Sequence, residues 1–282
     1  MKRKLGPPMK KLLPFGNQLL SSWRNSPLWP RLTLTKQIGD VALEVDFELD
    51  SIGFKVYYGR YQPDVVRAFR SLLHPGDIVF DVGANIGYLS AVAADAVGST
   101  GQVHCFEPVP SNVRKLRRLA EINPRYSIVV NQVAVGEQPG IATIRTSLTN
   151  IDSHTILPQL GNPDDSVTMM QVPMITLDDY LQRTALSRLA LIKIDVEGFE
   201  FPVLRGLRRF FEVGHRPAIV TEVFPAAYPL LGHTLADLAK FMTQYGYRAF
   251  LPDAIGNSVI DVTGLSRVAD VAFIRGESHS AI

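Results

Sequence analysis

Acidic residues standing at the ends of apolar runs carry most of the chemistry legible in this chain. Ile78-Val79-Phe80 is a short apolar run that ends in Asp81, passes through Gly83-Ala84-Asn85-Ile86-Gly87, and re-emerges as an Ala-rich run from Tyr88 to Ala94. A buried parallel strand, a glycine turn and a helix in that order put a ligand site at the carboxyl end of a sheet. The glycines let backbone approach the ligand, and the first N–H groups of the helix lack intrahelical partners. Asp81 at the mouth favours a ligand with a positive or hydrogen-donating part over a bare phosphate. Asn85 either touches that ligand or is a turn residue that tolerates a left-handed backbone.

A second apolar run, Val103 to Phe106, ends in Glu107-Pro108. This lies roughly twenty residues beyond the turn, where an acid takes a ribose diol in dinucleotide folds. The competing reading of Glu107 is a plain surface charge at a strand end. A dinucleotide site needs G-x-G-x-x-G so that a diphosphate can sit on the helix N-terminus. Here Gly83 and Gly87 have Ala84, Asn85 and Ile86 between them, and Asp81 would repel a diphosphate. S-adenosylmethionine suits the acid better, because it has no phosphate but carries a sulfonium and an ammonium.

A third acidic end is Ile192-Lys193-Ile194-Asp195-Val196-Glu197-Gly198. Strand alternation predicts Lys193, Asp195 and Glu197 on one side. A carboxylate there can accept or orient the proton of an attacking hydroxyl, and Lys193 can hold an acid ionised. The alternative is an ion-pair cluster that only shapes the turn. Glu222, ending Ile219-Val220-Thr221, could converge on the same place. Asp195, Glu197, Glu222 and His154 or His233 would then make an oxygen-rich site for Mg²⁺, although no spacing demands a metal and none is assigned. The 6 histidines form no H-E-x-x-H motif, and His154 alone, in a polar loop over the expected pocket, is worth testing. Ser90 and Cys105 lack a recognisable His partner, so nucleophilic catalysis is not supported.

These residues need a scaffold of alternating strands and helices, and the spacing supplies one. A hairpin is predicted over 32–58, with a turn at Ser51-Ile52-Gly53, and a helix over Asp64–Leu73. Strand one (78–82) is followed by a helix at about 87–97. Strand two (Val103–Glu107) is followed by a helix over Ser111–Ile122, with Ser111 as its N-cap. Strand three is Tyr126–Val135. Ile141–Arg145 and Thr168–Ile175 read as a β excursion around a polar loop (Ser147–Ser166). A short helix over Leu177–Leu186 follows, which Asp178 or Asp179 could start. Strand four is Leu189–Val196 with a helix over Glu200–Phe211, and strand five is Pro217–Val223. After a helix over Thr234–Tyr245, Tyr247–Leu251, Ser258–Val262 and Val268–Ile274 close the sheet as antiparallel strands.

Composition bounds the rest. A chain of 282 residues, 46% hydrophobic, can build one large core. Its single cysteine, Cys105, excludes an internal disulfide framework and reads as a buried strand residue. Lys2, Arg3, Lys4, Lys10, Lys11, Arg24, Arg31 and Lys36 stand in a head without acids, so the net charge of +2 hides a basic arm on an acidic body. That arm could touch headgroups or nucleic acid, but it reads first as a solvated, poorly structured segment. It lacks the apolar core of a signal peptide, and no run of about 18 apolar residues exists. A cytoplasmic location is expected.

Residues 76–90 (GDIVFDVGANIGYLS), 105–112 (CFEPVPSN), 131–136 (NQVAVG), 176–180 (TLDDY) and 192–206 (IKIDVEGFEFPVLRG) together resemble the FkbM family of S-adenosylmethionine-dependent methyltransferases. The resemblance implies a Rossmann-like class I methyltransferase fold. Its seven-stranded, mostly parallel sheet would carry helices on both faces and follow a small N-terminal β hairpin. The expected organisation is a basic arm at 1–31, the hairpin at 32–59 and the methyltransferase domain at 60–282. Asp81, Gly83, Ala84, Asn85 and Gly87 would hold the methionine part, Glu107 and Pro108 the ribose, and the segment Asn131 to Val135, through Asn131 and Ala134, the adenine edge. Asp195, Glu197 and Lys193 would be the catalytic group. Family members mostly methylate hydroxyl oxygens, so the implied acceptor is a small molecule or glycan. One departure is Tyr61-Gln62-Pro63, where the family commonly has an acid in place of Gln62. A nucleic-acid methyltransferase is disfavoured by the acidic body and by the lack of a Pro-Pro-aromatic element at Asp195. A non-catalytic, cofactor-binding interaction module is the remaining alternative. Oligomeric state is not legible.

Overall fold

The computed structural model describes residues 32–47, 52–147, 154–160, 167–184, 186 and 189–276. The basic arm at 1–31 and parts of the polar loop after Ser147 lie outside them. The described chain opens with strands β1 (Leu32–Ile38) and β2 (Val41–Phe47) and helices α1 (Ile52–Tyr57) and α2 (Pro63–Leu72). Then come β3 (Ile78–Val82), α3 (Tyr88–Val97), β4 (Gln102–Phe106), α4 (Pro110–Ile122), β5 (Ser127–Asn131) and β6 (Ala134–Val135). An excursion follows with β7 (Gly140–Ser147), β8 (His154–Thr155) and β9 (Val167–Ile175). The chain then runs through α5 (Leu177–Thr184), β10 (Leu191–Ile194), α6 (Glu200–Arg205), α7 (Arg208–Glu212) and β11 (Ala218–Val223). It ends with α8 (Ala227–Leu230), α9 (Leu235–Gln244), β12 (Tyr247–Phe250) and β13 (Ala269–Arg275).

A 7-stranded sheet has the order β12-β13-β11-β10-β3-β4-β5. The strands run parallel except β13, which is antiparallel to both β11 and β12. This is the Rossmann-like class I methyltransferase architecture. β3 shows why its strands are apolar throughout. Val79 packs into a core with α3, α4 and the hairpin, while its neighbour Phe80 packs with Phe106, Ile192 and Phe211 on the other face. Side chains that alternate across a sheet covered on both sides must all be apolar. No helix among the described residues is long and apolar enough to cross a membrane.

Several boundaries differ from expectation. The hairpin turns at Gly39-Asp40, where Ile38 pairs with Val41. Residues 52–57 are helical, not a returning strand, because Ile52 and Val56 are also spaced for one helical face and both are buried. The hairpin is pinned to α4: the Asn123 amide exchanges hydrogen bonds with the Ala42 backbone, and Arg118 clasps Glu44. The expected third strand splits, with β5 in the main sheet and β6 pairing with β9 in a 4-stranded sheet of order β6-β9-β7-β8. Ser258–Val262 forms only a bridge from Val259 to Phe250, and of the closing strands β13 alone runs antiparallel to the parallel set. α4 starts at Pro110, a proline at the first helical turn, without a side-chain cap from Ser111. Thr176, not an aspartate, caps α5 through the Asp179 N–H, while Asp178 accepts from the N–H groups of Arg209 and Phe210 at the start of α7. The helix expected over 200–211 breaks at Gly206, whose α-carbon lies against the Gly136 carbonyl.

Candidate active site

The strand order reverses between β3 and β10, and open α/β sheets bind ligands in the crevice outside the strand ends at such a switch point. Gly83 and Ala84 donate N–H groups to the Phe106 carbonyl, and the Asp195 N–H bonds the Val82 carbonyl, so the strand ends converge. Around them lies a cleft whose walls include Asp81, Glu107, Lys193 and Asp195.

Asp81 is 1% exposed. Its Oδ2 accepts a 2.5 Å hydrogen bond from Ser90, and Ser90 in turn accepts from the Cys105 thiol at 3.2 Å. Ser90 and Cys105 thus support Asp81. Burial, reinforced by the Asp81 charge, pushes the Cys105 thiol up, away from the thiolate. Burial also raises the Asp81 carboxyl, opposed by Lys193 and the Ser90 bond. Its Oδ1 is buried with no partner among the described residues.

Across the strand pair, Lys193 stands opposite Asp81, and its Nζ lies 2.7 Å from Asp195 Oδ2. Burial works against the ammonium, but Asp195 and Asp81 outweigh it and hold Lys193 above its ordinary value. Gln62 donates from Nε2 to the same Oδ2 at 3.1 Å. Glu197 lines the cleft, but not through strand alternation. β10 ends at Ile194, and Glu197 stands in a turn at φ 54°. That turn is held from two sides: Thr155 of β8 donates to the Glu197 carbonyl at 2.8 Å, and Glu200 Oε1 accepts from the Val196 and Gly198 N–H groups. Burial pushes Glu200 up to about 7.

On the other side, Glu107 is bound at both oxygens. Oε2 accepts from the Asn85 N–H and Oε1 from the Val109 N–H, each at 2.9 Å. Burial outweighs these bonds and pushes its carboxyl up to about 7. Asn85 stands at φ 47° with its Oδ1 buried and unpartnered among the described residues.

A family model, the Methyltransferase FkbM domain, matches residues 81–249. The chain belongs to the FkbM methyltransferase family. One curated relative is the 31-O-demethyl-FK506 methyltransferase FkbM of Streptomyces tacrolimicus, 31% identical over an alignment of 164 residues that covers 48% of this chain and 61% of that protein. Another is the hexuronic acid methyltransferase AglP of Haloferax volcanii, 23% identical over 185 residues, 66% of this chain and 72% of that protein. Among solved structures, methyltransferase FkbM from Methylobacillus flagellatus KT shares 18% identity at a TM-score of 0.43, over 78% of this chain and 53% of that one. M. jannaschii TYW2 in complex with AdoMet shares 14% identity at a TM-score of 0.42, over 88% of each chain. The chain therefore spans less than two thirds of the Streptomyces and Methylobacillus proteins.

In this FkbM-family chain, Asp81, Gly83, Ala84, Asn85, Glu107, Pro108 and Ala134 border the cleft together with Lys193, Asp195 and Glu197. Gly87 and Asn131 do not. Gly87 begins α3 at φ 88°, packed on Leu116 and Leu119, and Asn131 donates its side-chain N–H to the Cys105 carbonyl. The oxygen-rich metal cluster considered above does not assemble. Among the described residues no group of three or more His, Cys, Asp or Glu side chains could hold a metal ion. His233 bonds Arg205 and packs on Phe201, while His154 borders the cleft. Glu222 pairs in register with Asp270 and is pushed up to about 9 by burial and by the charges of Asp195, Glu200 and Glu197. Glu200 escapes the sequence reading, and Gln62 enters it only as a departure from the family pattern, with no role assigned. Glu200 carried a faint signal, an acid in the first turn of a helix just after a glycine.

Proposed function

We propose that this chain transfers the methyl group of S-adenosylmethionine to a hydroxyl oxygen of a small molecule or of a sugar or glycan. The observation that carries this reading is the set of acceptor atoms around one cleft: Asp81 Oδ1, Asn85 Oδ1 and Gln62 Oε1 are buried there without donors among the described residues. Buried acceptors call for a ligand that brings donors, and an acid-lined mouth calls for positive charge. S-adenosylmethionine has both, and when bound it supplies a methyl group activated by a positively charged sulfur. Glu107, oriented by two backbone N–H groups, keeps lone pairs for ribose hydroxyls. Gly83 and Pro108 form backbone walls, and Val133 and Ala134 offer apolar surface to the base.

Asp195 is the residue that handles the acceptor. Lys193 and Gln62 both bond Oδ2, so the carboxylate is held in one orientation while Oδ1 accepts the proton of the incoming hydroxyl. Glu197, in its strained turn, borders the acceptor side of the cleft. The names of the two relatives, one an O-demethyl compound methyltransferase and one a hexuronic acid methyltransferase, support an oxygen acceptor.

Titration calorimetry with S-adenosylmethionine, S-adenosylhomocysteine and NAD tests the reading. Micromolar-range binding of the first two and none of NAD is expected; folded protein that binds neither sulfur nucleoside would end it. Incubation with methyl-labelled S-adenosylmethionine and fractionated metabolites then identifies the acceptor.

A further inference from the structure

Gln62 has a left-handed backbone, φ 42° and ψ 52°, just before the proline that starts α2. Such a conformation is costly for a residue with a Cβ, and strain of this kind persists where surrounding structure and function demand it. A residue before proline avoids the right-handed helical region, but extended backbone stays open to it, so proline alone does not force this geometry. What the geometry achieves is a bond across 133 positions, from Gln62 Nε2 to Asp195 Oδ2. The amide's orientation follows from that partner. Turned over, its carbonyl would face a carboxylate, two acceptors with no proton between them.

With the N–H end committed to Asp195, Oε1 is left buried in the cleft wall with no donor among the described residues. Asp81 Oδ1 is in the same state. Lys193, which could have served Asp81, has its Nζ drawn to Asp195 instead. The cleft therefore holds three unsatisfied acceptors among the described residues, the Asp81 carboxylate and the amide oxygens of Gln62 and Asn85, and its cation is already in use. A carboxylate or phosphate would be repelled there, and a hydroxyl brings one proton and no charge. A primary ammonium brings three donors and the missing positive charge.

We propose that Gln62 is a specificity-determining residue: with Asp81 it holds the α-ammonium of the sulfur nucleoside, Oε1 accepting one of its N–H bonds while Nε2 fixes Asp195. This rests on the reading that the cleft takes S-adenosylmethionine. One side chain then couples the seating of the donor's amino-acid end to the orientation of the group that receives the acceptor's proton.

The test is calorimetric and needs no acceptor. S-adenosylhomocysteine is compared with the same molecule carrying hydrogen in place of its α-amino group, on the wild-type chain and on Gln62→Leu. Gln62→Met is a second apolar variant, in case leucine disturbs folding, and thermal melts report the fold of each. The expected result is that the wild type prefers the amino ligand by about 10- to 100-fold, as for hydrogen bonds to a charged group. Gln62→Leu should lose most of its affinity for the amino ligand and bind the deaminated one as the wild type does. Equal losses for both ligands would make Gln62 merely structural and overturn the proposal, as would no loss at all. A wild type that binds both ligands equally also overturns it, while leaving the cofactor reading intact. A wild type that binds neither takes the cofactor reading down and this proposal with it.

Discussion

A Cβ placed on Gly83 would collide with the backbone carbonyl of Asp195. The glycine turn after β3 and the acidic end of β10 are thus in backbone contact, and the cleft exists because they can close on each other. Gly83 also stands at φ 79°, a conformation that L side chains rarely adopt.

Gly83→Ala should therefore destabilise the chain by more than about 2 kcal/mol, from left-handed strain plus overpacking. Urea unfolding measures this, and calorimetry should show S-adenosylhomocysteine binding lost as the two turns separate. An alanine variant with an unchanged midpoint and intact binding would contradict the contact.

Lys193 is 4% exposed, between Asp81 across the strand pair and Asp195 at 2.7 Å. Removing one member of a buried pair leaves the other's charge uncompensated, at a cost of about 3–5 kcal/mol. Lys193→Met should lose that much stability, and Lys193→Met with Asp195→Leu should recover part of it. A double variant no better than the single would mean that the pair is not energetically coupled.

Asp195→Asn keeps the side chain's shape but cannot take up a proton. Methyl transfer should fall by about 10²- to 10⁴-fold, the usual range for a general base, with S-adenosylhomocysteine binding kept. Full activity in this variant would move the proton-accepting role elsewhere.

Stability should depend on pH above neutrality. Burial pushes Glu107 up to about 7, and burial with neighbouring carboxylates pushes Glu222 up to about 9, from an ordinary 4.5. Between these values the folded state holds protons that the unfolded state has released. The stability these groups contribute is therefore complete below pH 4.5 and is lost as pH rises through 7 and 9. Buried His104 acts the other way, since its lowering from 6.5 to about 4 costs stability only as pH falls below 6.5. From pH 6.5 to 9 the melting temperature should fall, and Glu222→Gln should flatten the upper part of that fall. A profile identical in the variant and the wild type would show that Glu222 is not the group responsible.

His104 is buried, with Nδ1 2.7 Å from the Tyr180 hydroxyl and Nε2 3.1 Å from Gln102 Oε1. Tyr180→Phe leaves a ring nitrogen buried without its partner, so unfolding free energy should drop by about 1–3 kcal/mol. Because Tyr180 packs edge-on against Phe80 and Phe106, the ring itself must be kept for the comparison to be clean.

How much of this was legible beforehand depended on the range of the interactions involved. The run from Ile78 to Ala94 announced strand, turn and helix because every cue lies within a few residues: an apolar stretch, glycines, then good helix formers. Asp81, Glu107 and Asp195, which border the cleft, stand out as candidates because an acid closing an apolar strand is a local oddity. Helix α1 reads as a strand because Phe54, Val56 and Tyr58 alternate with period two, while Ile52 and Val56 also fit one helical face. The strand over 126–135 was read as one because nothing local reports that Ala134 and Val135 join a second sheet.

By itself, then, the order of residues determined the α/β architecture and the acids at the strand ends, since periodicity and turn chemistry act over neighbouring positions. Which acids share a cleft was decided only by the tertiary structure. The switch between β3 and β10 sets Lys193 beside Asp81, and Gln62 reaches Asp195 from 133 positions away. A hydrogen bond over that separation leaves no periodic trace in the chain, because its partners become neighbours only after the sheet has formed.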